Sequence, residues 1–163
     1  LQGDSGDDVL MGGPGKDSFS PGAGNDTQYE LIEGDATITG STVSSTAIDT
    51  VLASSDAFEA VILIGGSGNN VLNASAATVP VTLLGGGGND SLTGGSQADV
   101  LIGGNRADSV SGTDTLDGGA GNDSIDGGIG TDFLDLSDST SGVTMTLAQT
   151  STVTSVTARA VSG

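Results

Sequence analysis

The sequence contains no histidine, cysteine or tryptophan, and only 3 basic residues stand against 21 acidic ones. Without histidine or cysteine, the chain cannot form a Ser-His-Asp triad, a Cys-His pair, a zinc finger or a disulfide. A formal net charge of -18 repels nucleic acid and anionic membranes. No apolar run approaches the ~20 residues that span a bilayer. We therefore expect neither a nucleic-acid partner nor membrane insertion.

Aromatic residues are also scarce, at 2% of the 163 residues, whereas glycine is abundant with 29. Glycine loses more backbone entropy on folding than any other residue, and the large side chains are mainly Leu, Val and Ile. The excess negative charge also repels itself in a compact state. We therefore expect apolar burial alone to be too weak to hold the fold, and a cation to neutralise the carboxylates.

A nine-residue repeat dominates the chain. Each copy opens with six glycine-rich residues that end in aspartate, as in residues 118–123, and this composition predicts a turn. The next three residues place one large apolar side chain between small or polar ones, which predicts a very short strand with one face inward. The residues predicted to face inward are Leu10, Phe19, Leu72, Leu92, Leu101, Val110, Leu116, Ile125 and Leu134.

A strand of three residues cannot bury its face alone, but stacked copies can form a solenoid with a column of aliphatic side chains along its axis. The alternative is a disordered, acidic, glycine-rich linker. The repeat argues against it, because a linker has no reason to keep a large apolar residue two positions after each aspartate.

The frame G-G-x-G-x-D-x-U-x, with U a large apolar residue, resembles the calcium-binding nonapeptide of the RTX family, whose members are secreted proteins that contain a parallel β-roll. Clear copies cover residues 3–29, 65–73 and 85–135. The resemblance implies an all-β fold, a right-handed parallel β-roll or β-solenoid built from nonapeptides, with strand-rich insertions here. It also implies that several Ca²⁺ ions are the cofactor.

The resemblance further implies where the ions bind. In the family's roll one coil holds two nonapeptides, and each ion lies between neighbouring turns on one edge, bound by main-chain carbonyls and the sixth-position aspartates of both turns. The aspartates implied as ligands are Asp8, Asp17, Asp26, Asp90, Asp99, Asp108, Asp114, Asp123 and Asp132. The carbonyls implied are those of Gly12, Gly85, Gly87, Gly103, Asn105, Gly118, Ala120 and Gly127.

A spacing of 18 residues then sets the expected pairs of aspartates. It pairs Asp8 with Asp26, Asp90 with Asp108, and Asp114 with Asp132. Residues 112–117 read as a shortened copy of six residues, which we expect to distort one edge of the roll. Across that copy, Asp99 would face Asp114, and Asp108 would face Asp123.

Several positions depart from the frame. Asn70 replaces a sixth-position aspartate and so loses the charge, and Gln97 replaces a fourth-position glycine. Gln28 occupies an apolar position and marks the end of the first block of repeats. Asp35 follows Asp17 by 18 residues, which predicts one degenerate turn inside the first insertion.

We divide the chain into N-terminal repeats at 1–29, a strand-rich insertion at 30–64, the main repeat roll at 65–135 with an insertion at 74–84, and Ser/Thr/Val-rich strands at 136–163. Runs at 48–52, 61–64, 79–84 and 143–147 predict strands that continue or cover the roll rather than separate domains. Because Leu1 and Gln2 fit the last two positions of a preceding copy, we expect a piece of a longer polypeptide.

The repeat chemistry favours a calcium-binding structural module of a secreted or cell-surface bacterial protein, which folds when it meets calcium outside the cell, over an enzyme. The alternative is a self-assembling or adhesive surface protein, such as an adhesin, an S-layer or a filament subunit. In that case the roll would stack end to end with other copies or contact the rest of a longer chain.

Overall fold

The computed structural model describes residues 1–12, 17–32, 34–45, 51–52, 58–104, 112–137, 144–146 and 155–157. In these residues all regular secondary structure is β, and no helix is long and apolar enough to cross a membrane. The described residues form sixteen strands: β1 (Val9–Met11), β2 (Ser18–Phe19), β3 (Thr27–Leu31), β4 (Ala36–Gly40), β5 (Thr42–Ser45), β6 (Val51–Leu52), β7 (Ala60–Ile64), β8 (Val71–Ala77), β9 (Val81–Gly86), β10 (Ser91–Thr93), β11 (Val100–Gly104), β12 (Thr115–Asp117), β13 (Ser124–Asp126), β14 (Phe133–Asp135), β15 (Thr144–Thr146) and β16 (Ser155–Thr157).

From β7 onward the chain alternates between two sheets of seven strands each. Sheet 1 has the order β1-β3-β7-β9-β11-β13-β15, and sheet 2 has the order β16-β14-β12-β10-β8-β4-β5. Each strand from β7 to β14 therefore pairs in parallel with the strand two positions later in the chain. This winding is a parallel β-solenoid, and it confirms the all-β roll expected from the repeat.

The core is the column of aliphatic side chains that the repeat predicts. All of the predicted inward residues that are described are buried, at 5% exposure or less, and Val110 lies outside the described residues. The inward faces of the two sheets meet in one cluster that runs from Ile32 to Leu134. At roughly 1.5–3 kcal/mol for each fully buried Val, Leu or Ile, this column is the main apolar contribution to the stability of the fold.

The turns use glycine where the backbone needs it. In the turn of residues 118–123, Gly119 and Gly121 have φ of 75° and 138°, a region that side chains with a Cβ rarely adopt. Gln97 takes the place of the second of these glycines in its own copy. Among the described non-glycine residues only Asp4 has a positive φ, so the turn at Gln97 follows a different path.

The N-terminal end of the roll departs from the regular pattern. Gln28 does not end the stack, because it lies fully buried in β3, which pairs with both β1 and β7. Its Nε2 donates to Oε1 of the buried Glu30 at 3.1 Å. Leu10, Phe19 and Phe58 form a separate small cluster, in which the two phenylalanine rings meet edge to face at 5.6 Å.

The segments outside the clear repeats contribute strands to the roll. β7 confirms the strand expected at 61–64 and lies between β3 and β9, while β8 and β9 extend the sheets through most of residues 74–84. β4 and β5 form an antiparallel hairpin at the edge of sheet 2, and β2 pairs with β6 outside both sheets. Residues 48–50, 143 and 147 lie outside the described residues, and the division into four segments stays a prediction.

Candidate metal centres

The sixth residue of each repeat lies in the turn just before a strand, so these residues stack along the two edges of the roll. The turns that lead into sheet 2 form what we call the sheet 2 ladder, which consists of Asn70, Asp90, Asp114 and Asp132. The turns that lead into sheet 1 in the same part of the chain form the sheet 1 ladder, which consists of Asp99 and Asp123.

Main-chain amides connect neighbouring carboxylates along each ladder. The N–H of Asp90 donates to Oδ1 of Asp114 at 2.8 Å, and the N–H of Asp114 donates to Oδ1 of Asp132 at 3.1 Å. On the other edge, the N–H of Asp99 donates to Oδ1 of Asp123 at 3.0 Å. One oxygen of each acceptor aspartate therefore joins two coils without a metal ion.

The second carboxylate oxygen has no such bond in most of these aspartates, although Oδ2 of Asp99 accepts the N–H of Gly95 at 2.7 Å. Oδ2 of Asp90, Asp114, Asp123 and Asp132 is buried and lacks a hydrogen-bond partner within the described part of the chain, and each residue is at most 3% exposed. Burial of an ionised oxygen without a partner is strongly unfavourable. A hard cation that takes 6–8 oxygen ligands, as calcium does, would satisfy these oxygens. The residues therefore suit calcium.

First-position glycines leave room beside these oxygens. A Cβ added to Gly103 would lie 2.5 Å from Oδ2 of Asp114 and 2.7 Å from the carbonyl oxygen of Gly127 in the neighbouring coil. A Cβ on Gly85 would likewise meet Oδ2 of Asp90 and, at 2.6 Å, the carbonyl oxygen of Gly103. A carboxylate of one coil and a carbonyl of the next thus converge at each of these turns.

Burial also perturbs the titration of the ladders. It raises the pKa of Asp114 to about 6, although the N–H of Asp90 opposes the shift, and the carboxylates of Asp90 and Asp132 add to it. Burial is also the main cause that raises the pKa of Asp90, Asp99, Asp123 and Asp132. The ionised ladders therefore cost free energy in the absence of a cation, and a bound cation would oppose that cost.

The described residues contain no group of three or more acidic side chains close enough to hold a metal ion together. Any calcium ligand set on these ladders must therefore combine one or two carboxylates with main-chain carbonyls. This combination agrees with the donor set that the repeat implies.

Two of the expected aspartate pairs are wrong. Asp90 is in register with Asp114, 24 residues away, and not with Asp108. Asp99 is in register with Asp123, also 24 residues away, and not with Asp114. Gly103 contacts Asp114 as Gly127 contacts Asp132 within one copy, so residues 103–117 form one fifteen-residue copy. Residues 112–117 are its final part rather than a short copy, and Asp108, which would have faced Asp123, lies outside the described residues.

A third group of acidic residues lies near the N-terminus. The N–H of Asp8 donates to Oδ1 of Asp26 at 3.0 Å, which confirms that pair. The N–H of Asp26 donates in turn to Oε2 of Glu59 at 2.7 Å, 33 residues away. Sequence reasoning missed Glu59 because no glycine turn precedes it. The available signal was its position two residues before the inward Val61, which matches the spacing of aspartate and apolar residue in the repeat.

The remaining expected ligands have mixed surroundings. Asp17 precedes β2, which lies outside both sheets, and among the described residues no other sixth-position aspartate is in register with it. Asp35 does occupy a turn, and its Oδ1 accepts the N–H of Val71 at 2.9 Å.

The expected carbonyl ligands fall into three groups. In the first group, the carbonyl oxygen lies close to the first-position glycine of the preceding coil; this group consists of Gly85, Gly103, Gly118 and Gly127. Gly12 lies beside Asp17 and Glu30, and the N–H groups of Gly87 and Ala120 donate to the carbonyls of Gly66 and Gly95. Asn105 lies outside the described residues.

Comparison with known proteins agrees with this geometry. The family model of the RTX calcium-binding nonapeptide repeat matches in four copies, at residues 1–28, 62–77, 82–110 and 108–138. These copies cover more than half of the chain, which therefore belongs to the RTX calcium-binding repeat family. No curated protein and no solved structure matches the chain. RTX repeats bind calcium and are typical of secreted proteins, so the chain is a calcium-binding β-roll module.

Proposed function

We propose that this module is a calcium-dependent structural element of a secreted or cell-surface bacterial protein. At the low calcium concentration of a cytosol, the carboxylates of the ladders repel each other and the repeats remain unfolded for export. Extracellular calcium then binds between neighbouring turns and folds the roll. The role of the module is mechanical support and spacing rather than catalysis.

The observation that carries this proposal is the alignment of buried carboxylate oxygens without partners from one coil to the next. On the sheet 2 ladder, the sites would lie between Asp90 and Asp114 and between Asp114 and Asp132. On the sheet 1 ladder, one would lie beside Oδ2 of Asp123, since both oxygens of Asp99 accept main-chain N–H groups. A ligand that binds only the folded state contributes ~2.7 kcal/mol per independent site at a hundredfold excess over its Kd, so a few sites would offset the electrostatic cost.

Far-UV circular dichroism during a calcium titration, started from a chelated sample, tests this proposal. We expect a cooperative rise of β signal with calcium and little or none with magnesium, which is smaller and prefers near-ideal octahedral geometry. Calorimetry of the same titration would count the ions. A spectrum that is fully β-rich in chelator and does not change with calcium would falsify calcium-coupled folding.

The alternative, a self-assembling or adhesive surface protein, has support from one surface. The outward face of sheet 1 carries a row of aliphatic side chains in register on four neighbouring strands, namely Leu31, Ile64, Leu84 and Ile102. Met11, Ile62 and Val100 lie on the same face. Met11 and Leu31 are 56% and 59% exposed. Sheet faces of this kind pack against one another.

Sedimentation velocity of the calcium-loaded chain tests the alternative. If the outward face drives assembly, the wild type sediments as oligomers, and a variant with Leu31→Thr and Leu84→Thr sediments as a monomer, since threonine keeps the strand propensity but shortens the apolar surface. A wild type that remains monomeric at high concentration in calcium would contradict assembly through this face and favour the structural spacer role.

A further inference from the structure

The strands in the middle of the roll bury more apolar surface than the strands near its C-terminal end. We call β7, β8 and β9 (residues 60–86) the central strands, and β12, β13 and β14 (residues 115–135) the C-terminal strands. Each C-terminal strand buries one large apolar side chain, which is Leu116, Ile125 or Leu134. The buried apolar residues of the central strands are Val61, Leu63, Leu72, Ala74, Ala77, Val81 and Leu83.

The central strands also lack the charges that the C-terminal strands carry. Residues 60–89 contain no Asp, Glu, Lys or Arg, although the whole chain has 21 acidic residues. In the register of the sheet 1 ladder, Val81 takes the place that Asp99 and Asp123 hold in later coils, and Val61 precedes it. The carboxylate repulsion that a cation must offset is therefore absent from this part of the roll.

Asn70 replaces the carboxylate on the sheet 2 ladder. Its Oδ1 accepts the N–H of Gly66 at 3.1 Å, and its Nδ2 donates to the carbonyl of Gly34 at 3.1 Å. Both polar atoms of this side chain are therefore satisfied by the protein itself. In contrast, Oδ2 of Asp90 and Asp114 has no partner among the described residues.

We propose that the central strands fold without calcium and serve as the template on which the C-terminal strands assemble when calcium binds. This inference rests on the proposed function and adds that calcium dependence is confined to part of the chain. Asn70 and the valines of the sheet 1 ladder mark the boundary.

Hydrogen bonds across this boundary support the template role. The N–H of Asn70 donates to Oδ1 of Asp90 at 2.8 Å, and the N–H of Val81 donates to Oδ1 of Asp99 at 2.9 Å. The central strands thus present a donor on each edge to the first carboxylate of each ladder. Because coils in a solenoid contact only their neighbours, the C-terminal coils must add to this template in order.

Hydrogen–deuterium exchange of the full chain, read by mass spectrometry, tests the inference. In excess chelator we expect the amides of residues 60–86 to exchange on the order of 100-fold more slowly than those of residues 115–135. Added calcium should slow exchange in residues 115–135 and change residues 60–86 little.

A matched pair of variants tests the role of Asn70. Asn70→Asp removes the Nδ2 donor and places a carboxylate against the carbonyl of Gly34, so in chelator the protection of residues 60–86 should fall by about 10- to 100-fold. Calcium should restore it. Asn69→Asp adds the same charge at the exposed neighbouring position, where it can still accept the N–H of Asn89, and should leave protection unchanged.

The wild-type exchange data alone separate the two proposals. If residues 60–86 and 115–135 are equally unprotected in chelator and gain protection together with calcium, the template inference is overturned and calcium-coupled folding stands. If both regions are protected in chelator and calcium changes neither, the inference and the proposed function both fail. A loss of protection in Asn69→Asp equal to that in Asn70→Asp would also count against the inference.

Discussion

At the scale of single residues, the two oxygens of a buried aspartate differ in what they require. Oδ1 of Asp114 accepts the N–H of Asp90 and needs no metal ion. Oδ2 lies beside Gly103 and the carbonyl of Gly127 without a donor from the described residues. The side chain therefore joins two coils with or without a cation, but the negative charge on Oδ2 stabilises the roll only when a cation is bound.

Asp114→Asn should separate these two effects, because Asp114 lies between Asp90 and Asp132 on the sheet 2 ladder. We expect calorimetry to show at least one ion fewer and a calcium midpoint about tenfold higher, since affinity follows the number of charged ligands. In chelator the same variant should show more β signal than the wild type, because one buried charge no longer opposes the fold. Calorimetry of a calcium titration measures the first change, and far-UV circular dichroism in chelator measures the second.

The control for this variant is Asp4→Asn, which removes one charge from an exposed residue. Asp4 has φ of 73°, a conformation that asparagine tolerates well. We expect its calcium midpoint and ion number to match those of the wild type. If Asp4→Asn and Asp114→Asn changed calcium binding equally, net charge rather than ligand loss would explain the result.

Gly127 should not tolerate a side chain. A Cβ there would overlap Oδ2 of Asp132, so we expect Gly127→Ala to lower the free energy of unfolding in saturating calcium by about 1–3 kcal/mol. Gly68 has nothing within 4 Å of the corresponding point, and Gly68→Ala should change stability by less than about 0.5 kcal/mol. Thermal unfolding of both variants in calcium makes the comparison, and equal shifts would contradict the assigned crowding.

At the scale of elements, coil length is the property that the sequence predicts least well. The repeat predicts the short strands and the inward residues because the alternation of apolar and polar side chains is visible within each copy. Register depends on which copies stack, and a spacing of 18 paired Asp90 with Asp108. In the structure Gly103 and Asp114 take the places that Gly127 and Asp132 have in a regular copy, at a sequence separation of 11 rather than 5 residues. Nothing local to Asp108 distinguishes it from an in-frame aspartate.

The same limit explains Glu59 and Gln28. Glu59 joins Asp26 across 33 residues, and no repeat of nine residues indicates that distance. Gln28 breaks the apolar pattern, but its buried contact with Glu30 shows that a polar pair can occupy the interior of the roll. Tertiary pairing decided both cases, whereas local composition was sufficient to place Asp114, Asp123 and Asp132 directly before short strands.

Deletion of residues 105–110 tests the fifteen-residue copy. The deletion joins Gly104 to Ser111 and leaves Gly-Gly-Ser-Gly-Thr-Asp-Thr-Leu-Asp, a regular nonapeptide. We expect the same number of bound ions and an unchanged or higher melting temperature, because a shorter connection costs less entropy. Calorimetry and thermal unfolding in calcium provide the measurements.

Deletion of residues 118–123 provides the contrast, because it removes an in-frame turn together with Asp123. It should reduce the ion number and the β content. If instead the deletion of 105–110 lost an ion, then Asp108 or Asn105 would be a ligand and the assigned register would be incorrect.

At the scale of the whole molecule, protons and calcium both relieve the excess negative charge. Burial raises the pKa of Asp114 from 3.8 to about 6 in the calcium-free fold. The calcium-free fold therefore binds a proton more readily than the unfolded chain, and it gains stability as the pH falls from about 6 to about 4. The gain from this residue is about 3 kcal/mol at most, and it is lost as the pH rises through 6.

Far-UV circular dichroism in chelator at neutral and mildly acidic pH detects this gain as a rise of β signal on acidification. A calcium titration at the same pH values should show a higher midpoint below pH 6, because protons and calcium compete for the same carboxylates. Asp114→Asn should weaken the pH dependence of both the calcium-free fold and the calcium midpoint. A calcium-free fold that is less stable at mildly acidic pH than at neutral pH would contradict the assigned burial of these groups.

The winding of the chain also determines how the module would respond to a pulling force. Because each coil contacts only its neighbours, tension between the two chain ends would detach coils from an end one at a time. A coil of 18 residues, as between Asp114 and Asp132, would release about 6 nm, and one of 24 residues, as between Asp90 and Asp114, about 8 nm. Single-molecule force measurements should therefore include steps of both lengths, with the force of these steps set by the calcium concentration.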